Sequence, residues 1–312
     1  MSPLFATRDS GHPASESRIT LEQRVVGAYL GLAVGDALGA TTEFLTPREI
    51  REKHGIHNSI CGGGWLRLKP GQVTDDTEMS LALGQAILDR GGVEAHAVAE
   101  AFSEWMRSKP VDIGNTVRRG IVHYRNSGEV RVSENEYEAG NGACMRSLPV
   151  AIAYLNASEE NLVSASRTQS HVTHNNRQAD AGTETVLFMV IAAFKGNTKS
   201  QLGEIANNLV ERHKLYRFDK RPVENPSGWI VETLQVVFQS LFDNHDFEST
   251  LVDVVNRGGD ADTTGAIAGM LTGALYGVDA IPGPWLKGLD KDVKSSCKRQ
   301  AQALLELSGK GG

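Results

Sequence analysis

Residues 254–277 read VVNRGGDADTTGAIAGMLTGALYG, and the fold turns on how they are read. Two carboxylates, Asp260 and Asp262, stand in a glycine-rich turn, and a nearly uncharged helical stretch follows. Glycines recur there at 265, 269, 273 and 277. That i, i+4 row lies on one face of a helix. A second row runs through 27, 31, 35 and 39 near the start of the chain. Glycine costs about 1 kcal/mol per site in a helix relative to alanine, so close backbone packing has to offset several such sites. Two central helices packed tightly satisfy the pattern. So do two helices whose ends must meet at one point.

Outward from these rows the chain reads as mostly helical. Thr20 with Gln23 three residues later fits a capping box. Apolar residues fall at helical spacing over 77–90, 93–107, 143–155, 183–195, 201–213, 229–243 and 285–306. Strand-like alternation is scarce, with a short hairpin expected only in 58–73. The expectation is an all-α, single-domain protein over 20–308, preceded by a disordered polar tail over 1–19. The longest internal loop is expected at 215–228, a place where compact domains put function.

The 312 residues can bury a large core without disulfides. Cys61, Cys144 and Cys297 are far apart and form no CxxC, which suits a reducing, cytoplasmic setting and excludes a common zinc or redox motif. A net charge of −6 without a basic block argues against nucleic-acid binding. No apolar run has the length of a membrane span.

A second acidic turn answers the first. Thr74, Asp75 and Asp76 precede the helix at 77–90 as Asp260, Asp262 and Thr263 precede the last glycine row. Each cluster alone is satisfied by helix capping, which a nearby carboxylate favours by about 0.3–1 kcal/mol. Capping does not require two aspartates per turn, because the second adds repulsion unless a cation absorbs it. Every donor in both clusters is a hard oxygen, which suits Mg2+ or Mn2+ and disfavours zinc or copper. Glu43, just past the first glycine row, approaches the Asp260/Asp262 turn if the two rows pack together. Five carboxylates then call for two divalent cations rather than one. Asp36, inside the first row, is expected to serve at the surface or as a cap rather than as a ligand.

These segments resemble the ADP-ribosylglycohydrolase family. GAYLGLAVGDALGATTEF, VTDDTEMSLAL, GNGACMRSLPVAI, SHVTHNNRQADAGTE and RGGDADTTGAIAGMLTGALYG carry the likeness over about residues 25–290. GGGWLRLKPGQVTDDTEMS and PVDIGNTVRRGI narrow it to the branch acting on the iron protein of nitrogenase. The resemblance implies an orthogonal helical bundle with two Mn2+ (or Mg2+) held by Thr74, Asp75, Asp76, Asp260, Asp262, Thr263 and Glu43. It implies Asp112, Asp76 and Glu43 as catalytic residues, with Asp112 orienting a guanidinium or moving a proton. It implies substrate contacts from Asn115, Gly140, Asn141, Gly142, Arg146, His174 and Trp229. The Gly140–Asn141–Gly142 turn would hold a pyrophosphate through its amides, and Trp229 stands where a tyrosine is expected. The implied activity is removal of ADP-ribose from a modified arginine of a protein, the nitrogenase iron protein (dinitrogenase reductase). The implied partners are a PII signalling protein and a membrane ammonium-transport protein, with a monomer expected. Three other readings compete: another ADP-ribosyl linkage such as serine or a free ADP-ribose derivative, a non-catalytic structural member of the fold, and a two-metal phosphatase.

Overall fold

The computed structural model describes residues 19–309; the expected tail over 1–19 lies almost wholly outside them. The first helices are α1 (Leu21–Gly39), α2 (Pro47–His54), α3 (Asp75–Arg90), α4 (Ala95–Arg107), α5 (Asn115–Ser127), α6 (Gly142–Met145) and α7 (Leu148–Ala153). Then come α8 (Glu159–Ser170), α9 (Arg177–Phe194), α10 (Lys199–Arg212), α11 (Ile230–Asp243), α12 (Phe247–Asn256), α13 (Ala261–Tyr276), α14 (Gly283–Gly288) and α15 (Lys291–Ser308). Among the described residues there is no strand and no helix long and apolar enough to cross a membrane.

The two glycine rows face each other. Gly27 lies against Gly273, Gly31 against Gly269, Gly35 against Gly265 and Gly39 against Ala261. One number rises as the other falls, so α1 and α13 run antiparallel. The C-terminal end of α1 therefore meets the N-terminal end of α13. A Cβ built on Gly27 would lie 2.6 Å from the Gly273 carbonyl oxygen, and one on Gly35 would overlap that of Gly265. Both helices are sheathed on all sides: α1 is buried from Val25 to Gly39 and α13 from Ala261 to Leu275. Such all-round burial marks a core helix rather than a surface one.

Asp36 is the exception within that apolar sheath. It is fully buried and accepts four hydrogen bonds from the start of α3: Thr74 N (3.0 Å), Thr77 N (3.1 Å), Thr74 Oγ1 (2.9 Å) and Thr77 Oγ1 (2.5 Å). The surface role expected for it is wrong, and the capping role holds in an unexpected form. Asp36 caps a different helix from the one it sits on, and so pins the N-terminus of α3 beside α1 and α13.

Other expectations shift for local reasons. The helix expected over 143–155 is two short ones, because Pro149 has no amide to continue the ladder across Arg146 and Ser147. The one over 285–306 breaks at Leu289–Asp290, where the Asp290 carboxylate caps α15 through Asp292 N and Val293 N. The 58–73 hairpin reduces to a single bridge between Gly63 and Leu68. Among the described residues the longest helix-free stretch is 55–74 rather than 215–228.

The backbone contact between α1 and α13 predicts the response to alanine. Gly35→Ala forces a methyl into the Gly265 carbonyl and is expected to cost several kcal/mol, read as a large fall in Tm or loss of the folded fraction. Gly203→Ala in α10, whose added Cβ would meet Phe242 Cε1 at 3.6 Å, is expected to stabilise by up to about 1 kcal/mol. Comparable Tm losses in the two variants would refute the packing argument.

Candidate active site and metal centre

The site lies where the N-termini of α3 and α13 converge on the end of α1. The turn before α13 is built by Gly258 and Gly259, both left-handed (φ 71° and 65°). Their backbone is clamped from both sides. Phe44 N donates to Gly259 O (2.7 Å) and Gly259 N to Leu45 O (3.1 Å), while Asp260 N donates to Pro226 O (2.8 Å). The clamp brings Glu43 to the aspartates, and carboxylate oxygens of Glu43, Asp260 and Asp262 lie within 4.8 Å of one another.

The capping reading of the acidic turns does not survive. Thr20, Thr46, Ser158, Asn176, Thr198, Asp246 and Asp290 cap their helices through their side chains. Thr74 and Asp260, in the same position on α3 and α13, do not. Thr74 Oγ1 bonds Asp36 Oδ1 (2.9 Å) and Asp76 Oδ2 (3.1 Å) instead, and Asp260 Oδ2 accepts from Asn141 Nδ2 (2.6 Å). Thr263 Oγ1 reaches Asp76 Oδ2 (3.3 Å), and Gly114 N reaches Asp75 Oδ2 (3.3 Å).

Electrostatics mark the cluster as short of positive charge. Burial, followed by the Asp112, Asp36 and Asp260 charges, pushes Asp75 up to about 8. Burial pushes Glu43 up to about 8, with Asp260 and Asp112 adding to it and the Trp65 N–H opposing it. Asp76 and Asp262 are driven well above the ordinary carboxylate range, by burial first and neighbouring carboxylates second. Asp76 Oδ1 is buried with no hydrogen-bond partner among the described residues. A set of oxygen donors with an orphaned oxygen and displaced protonation fits a hard divalent cation.

A cavity of about 480 Å³ opens over the cluster, within the usual range for a small-molecule site. Glu43, Asp75, Asp260, Asp262 and Thr263 line its floor; Asp112, Asn115, Gly140, Asn141, Gly142 and His174 line its walls. Thr74 and Asp76 lie beneath it, fully buried. Two expected substrate contacts are not in its lining. Arg146 is fully buried one layer behind, bonded to Gln169 and Thr173. The Trp229 indole turns to Gln178, with Nε1 2.8 Å from Oε1. The Asn141 amide, expected to help hold a pyrophosphate, donates to Gly228 O (3.0 Å) instead.

Trp65 carries no sequence pattern that marks it as part of the site. Its Nε1 donates to Glu43 Oε2 (2.6 Å) while its ring packs on Phe44 at 5.3 Å, and both rings stand at the cavity mouth. Only its place in a glycine-rich loop, GGGWLRL, hinted at a fixed role.

An all-α bundle with acidic helix N-termini gathered under an open cavity is a candidate centre for a hard divalent cation and a small-molecule ligand. The comparisons give the family: the ADP-ribosylglycohydrolase model matches residues 17–311, and the chain belongs to that family. It is 48% identical over 292 residues to the ADP-ribosyl-[dinitrogen reductase] glycohydrolase of Rhodospirillum rubrum, covering 93% of this chain and 98% of that one. It is 31% identical to the ADP-ribosylarginine hydrolase Tri1 of Serratia proteamaculans, covering 91% and 79%. A solved ADP-ribosylglycohydrolase-related protein complex superposes with a TM-score of 0.82 at 35% identity, covering 92% of this chain and 99% of that one.

Two outcomes test the centre. Without metal, the folded protein holds protons on Glu43 and Asp75 up to about 8, while the unfolded chain loses them near 4.5 and 3.8. The folded state then binds more protons, so stability falls as pH rises through that window. Tm of the metal-free protein is expected to drop between pH 5 and 8, with Mn2+ restoring it most at the alkaline end. A flat Tm profile would count against the cluster. Trp65→Phe keeps the ring and removes the bond to Glu43; it is expected to weaken Mn2+ binding about tenfold by calorimetry.

Proposed function

We propose that this chain hydrolyses the N-glycosidic bond joining ADP-ribose to an arginine side chain, with the nitrogenase iron protein as its substrate. The observation that carries the reading is Asp112, half-buried on the cavity wall and facing the carboxylate floor. Asp112 stands outside the set of residues that would hold metal, so its carboxylate is left to meet a cationic guanidinium. Similarity to the Rhodospirillum rubrum enzyme, whose name specifies dinitrogen reductase, supports the protein substrate. The exposed rings of Phe44 (62%) and Trp65 (51%) at the mouth suit contact with a protein surface.

Glu43, Asp75, Asp76, Asp260, Asp262, Thr74 and Thr263 are the residues that would hold two Mn2+ or Mg2+. The chemistry such cations supply is Lewis-acid polarisation of hydroxyl and water oxygens. In the reaction, a water oxygen bonds to the anomeric carbon as the carbon–nitrogen bond breaks, its electron pair leaving with the guanidine. Asp112 takes the proton released by the water and returns it to that guanidine. Its role is to orient the leaving group and move the proton, a contribution usually worth 10²–10⁴-fold.

Purified protein with Mn2+ is expected to release free ADP-ribose from the arginine-ADP-ribosylated iron protein and to do so poorly from a serine-linked peptide. Asp112→Asn is expected to lower kcat by about 10²-fold or more with Tm unchanged. Activity indifferent to EDTA and to Asp262→Ala, or a preference for the serine linkage, would overturn the proposal.

A further inference from the structure

Arg146 is a buried cation with no carboxylate in ion-pair contact among the described residues. Burying an unpaired charge costs several kcal/mol, so its hydrogen bonds matter. Nε donates to Gln169 Oε1 (2.9 Å), and Nη2 donates to Gln169 O (3.0 Å) and Thr173 Oγ1 (2.8 Å), while the guanidinium lies 4.3 Å over the Phe102 ring. Gln169 is itself fixed, its Nε2 donating to Ala143 O (3.0 Å).

A guanidinium only donates, so Thr173 Oγ1 is the acceptor of that last bond. The same oxygen lies 2.8 Å from His174 Nδ1. Two arrangements are open to the hydroxyl. It accepts from both neighbours and leaves its own proton buried without a partner, or it accepts from Arg146 and donates to His174. The first strands a buried donor at a cost of about 1–3 kcal/mol. The second leaves no part of the hydroxyl unpaired; Arg146 Nη1 lacks a hydrogen-bond partner in either arrangement and does not distinguish them. The second arrangement makes Nδ1 the acceptor and puts the ring proton on Nε2. Burial first, then the charges of Arg146 and Arg119, hold the ring down at about 3, so it is neutral at physiological pH.

Both ends of this relay are sterically set. On one side, a Cβ on Gly120 of α5 would come within 2.8 Å of Thr173 Cγ2, so the threonine methyl fills that groove and the hydroxyl is left to face Arg146 and His174. On the other, the His174 ring edge lies over Gly140 and Gly142, where a Cβ would fall 3.0 Å from Nε2 and 2.8 Å from Cε1. Nε2 has no protein partner among the described residues, and the ring lines the cavity.

We propose that Arg146 and Thr173 are positioning residues that lock His174 as an Nε2–H donor aimed into the cavity, to bind an oxygen of the ligand's diphosphate or ribose. The nature of that oxygen rests on the ADP-ribose reading above; the lock does not. It also accounts for an arginine in this motif that never reaches the cavity.

The test uses the full chain with ¹⁵N-labelled histidine, the His174 signals being identified by their loss in His174→Gln. Wild type is expected to show a neutral ring protonated at Nε2 from pH 8 down to 5. Thr173→Val is expected to give mixed tautomers and to bind ADP-ribose, in the presence of Mn2+, about tenfold more weakly. Its KM should rise more than its kcat falls, and Thr173→Ser should restore the wild-type values. A wild-type ring protonated at Nδ1 or on both nitrogens overturns the proposal without any variant. So does a Val variant that keeps the Nε2–H tautomer and wild-type affinity. The expected tautomers with no ADP-ribose binding would support the lock and refute the ADP-ribose reading.

Discussion

The structure depends on backbone meeting backbone between α1 and α13. No side chain separates the two helices at 27/273, 31/269, 35/265 or 39/261, where the facing residue is Ala261. Each contact gives up the favourable helix propensity of alanine, about 1 kcal/mol per glycine. What it gains is position. The antiparallel contact sets the end of α1 against the start of α13 with little freedom to slide, because a shift along the axis would drive carbonyl oxygens into neighbouring Cα atoms. Glu43 and Asp262 then meet without long or flexible side chains to bridge a gap.

A rigid scaffold is needed because the cluster is costly. Fully buried carboxylates lose their hydration, and like charges add to that penalty. Asp36 shows what a buried carboxylate requires when it stands outside the cluster: four donors, from two amides and two hydroxyls. Even so, burial raises it to about 6. Asp75 has one donor, from Gly114; Asp76 has the Thr263 hydroxyl, a Thr74 hydroxyl whose one proton it shares with Asp36, and one bare oxygen. The protein has equipped one acid to stand alone and left its neighbours under-satisfied, a difference that makes sense if protons or cations complete the latter.

The residues that were legible in the sequence share a local signature. The glycine rows show a four-residue period, and the acid turns show two like charges within three positions. Asp36 shows neither, because its four donors come from 38 and 41 residues away. The family resemblance implies Arg146 at the substrate; the turn of its side chain toward Gln169 is a tertiary fact that no local pattern carries. Helices α2, α5, α8 and α12 lie outside the periodic reading: α2 buries only Ile50 and α5 little more, while three of the five residues that α8 buries, Ser166, Gln169 and Ser170, are polar. Trp65 acts through a single hydrogen bond from a loop, which no pattern announces.

Charge accounting ties the scaffold to the proposed chemistry. Each helix N-terminus contributes about half a positive charge, so α3 and α13 together offset about one of the five carboxylates of the cluster, four on the cavity floor and Asp76 beneath it. Arg146 stands one layer behind, and Asp75 is the carboxylate whose charge acts on it. One divalent cation leaves an excess of anion, while two bring the centre close to neutral. In their absence protons must take the role, which is why burial and mutual repulsion displace these groups upward rather than scattering them. A centre held in that way would exchange protons for metal without rebuilding its walls, because Asp36 ties the start of α3 to α1 and the Gly258–Gly259 turn ties the start of α13 to Phe44 and Leu45 whichever occupant is present.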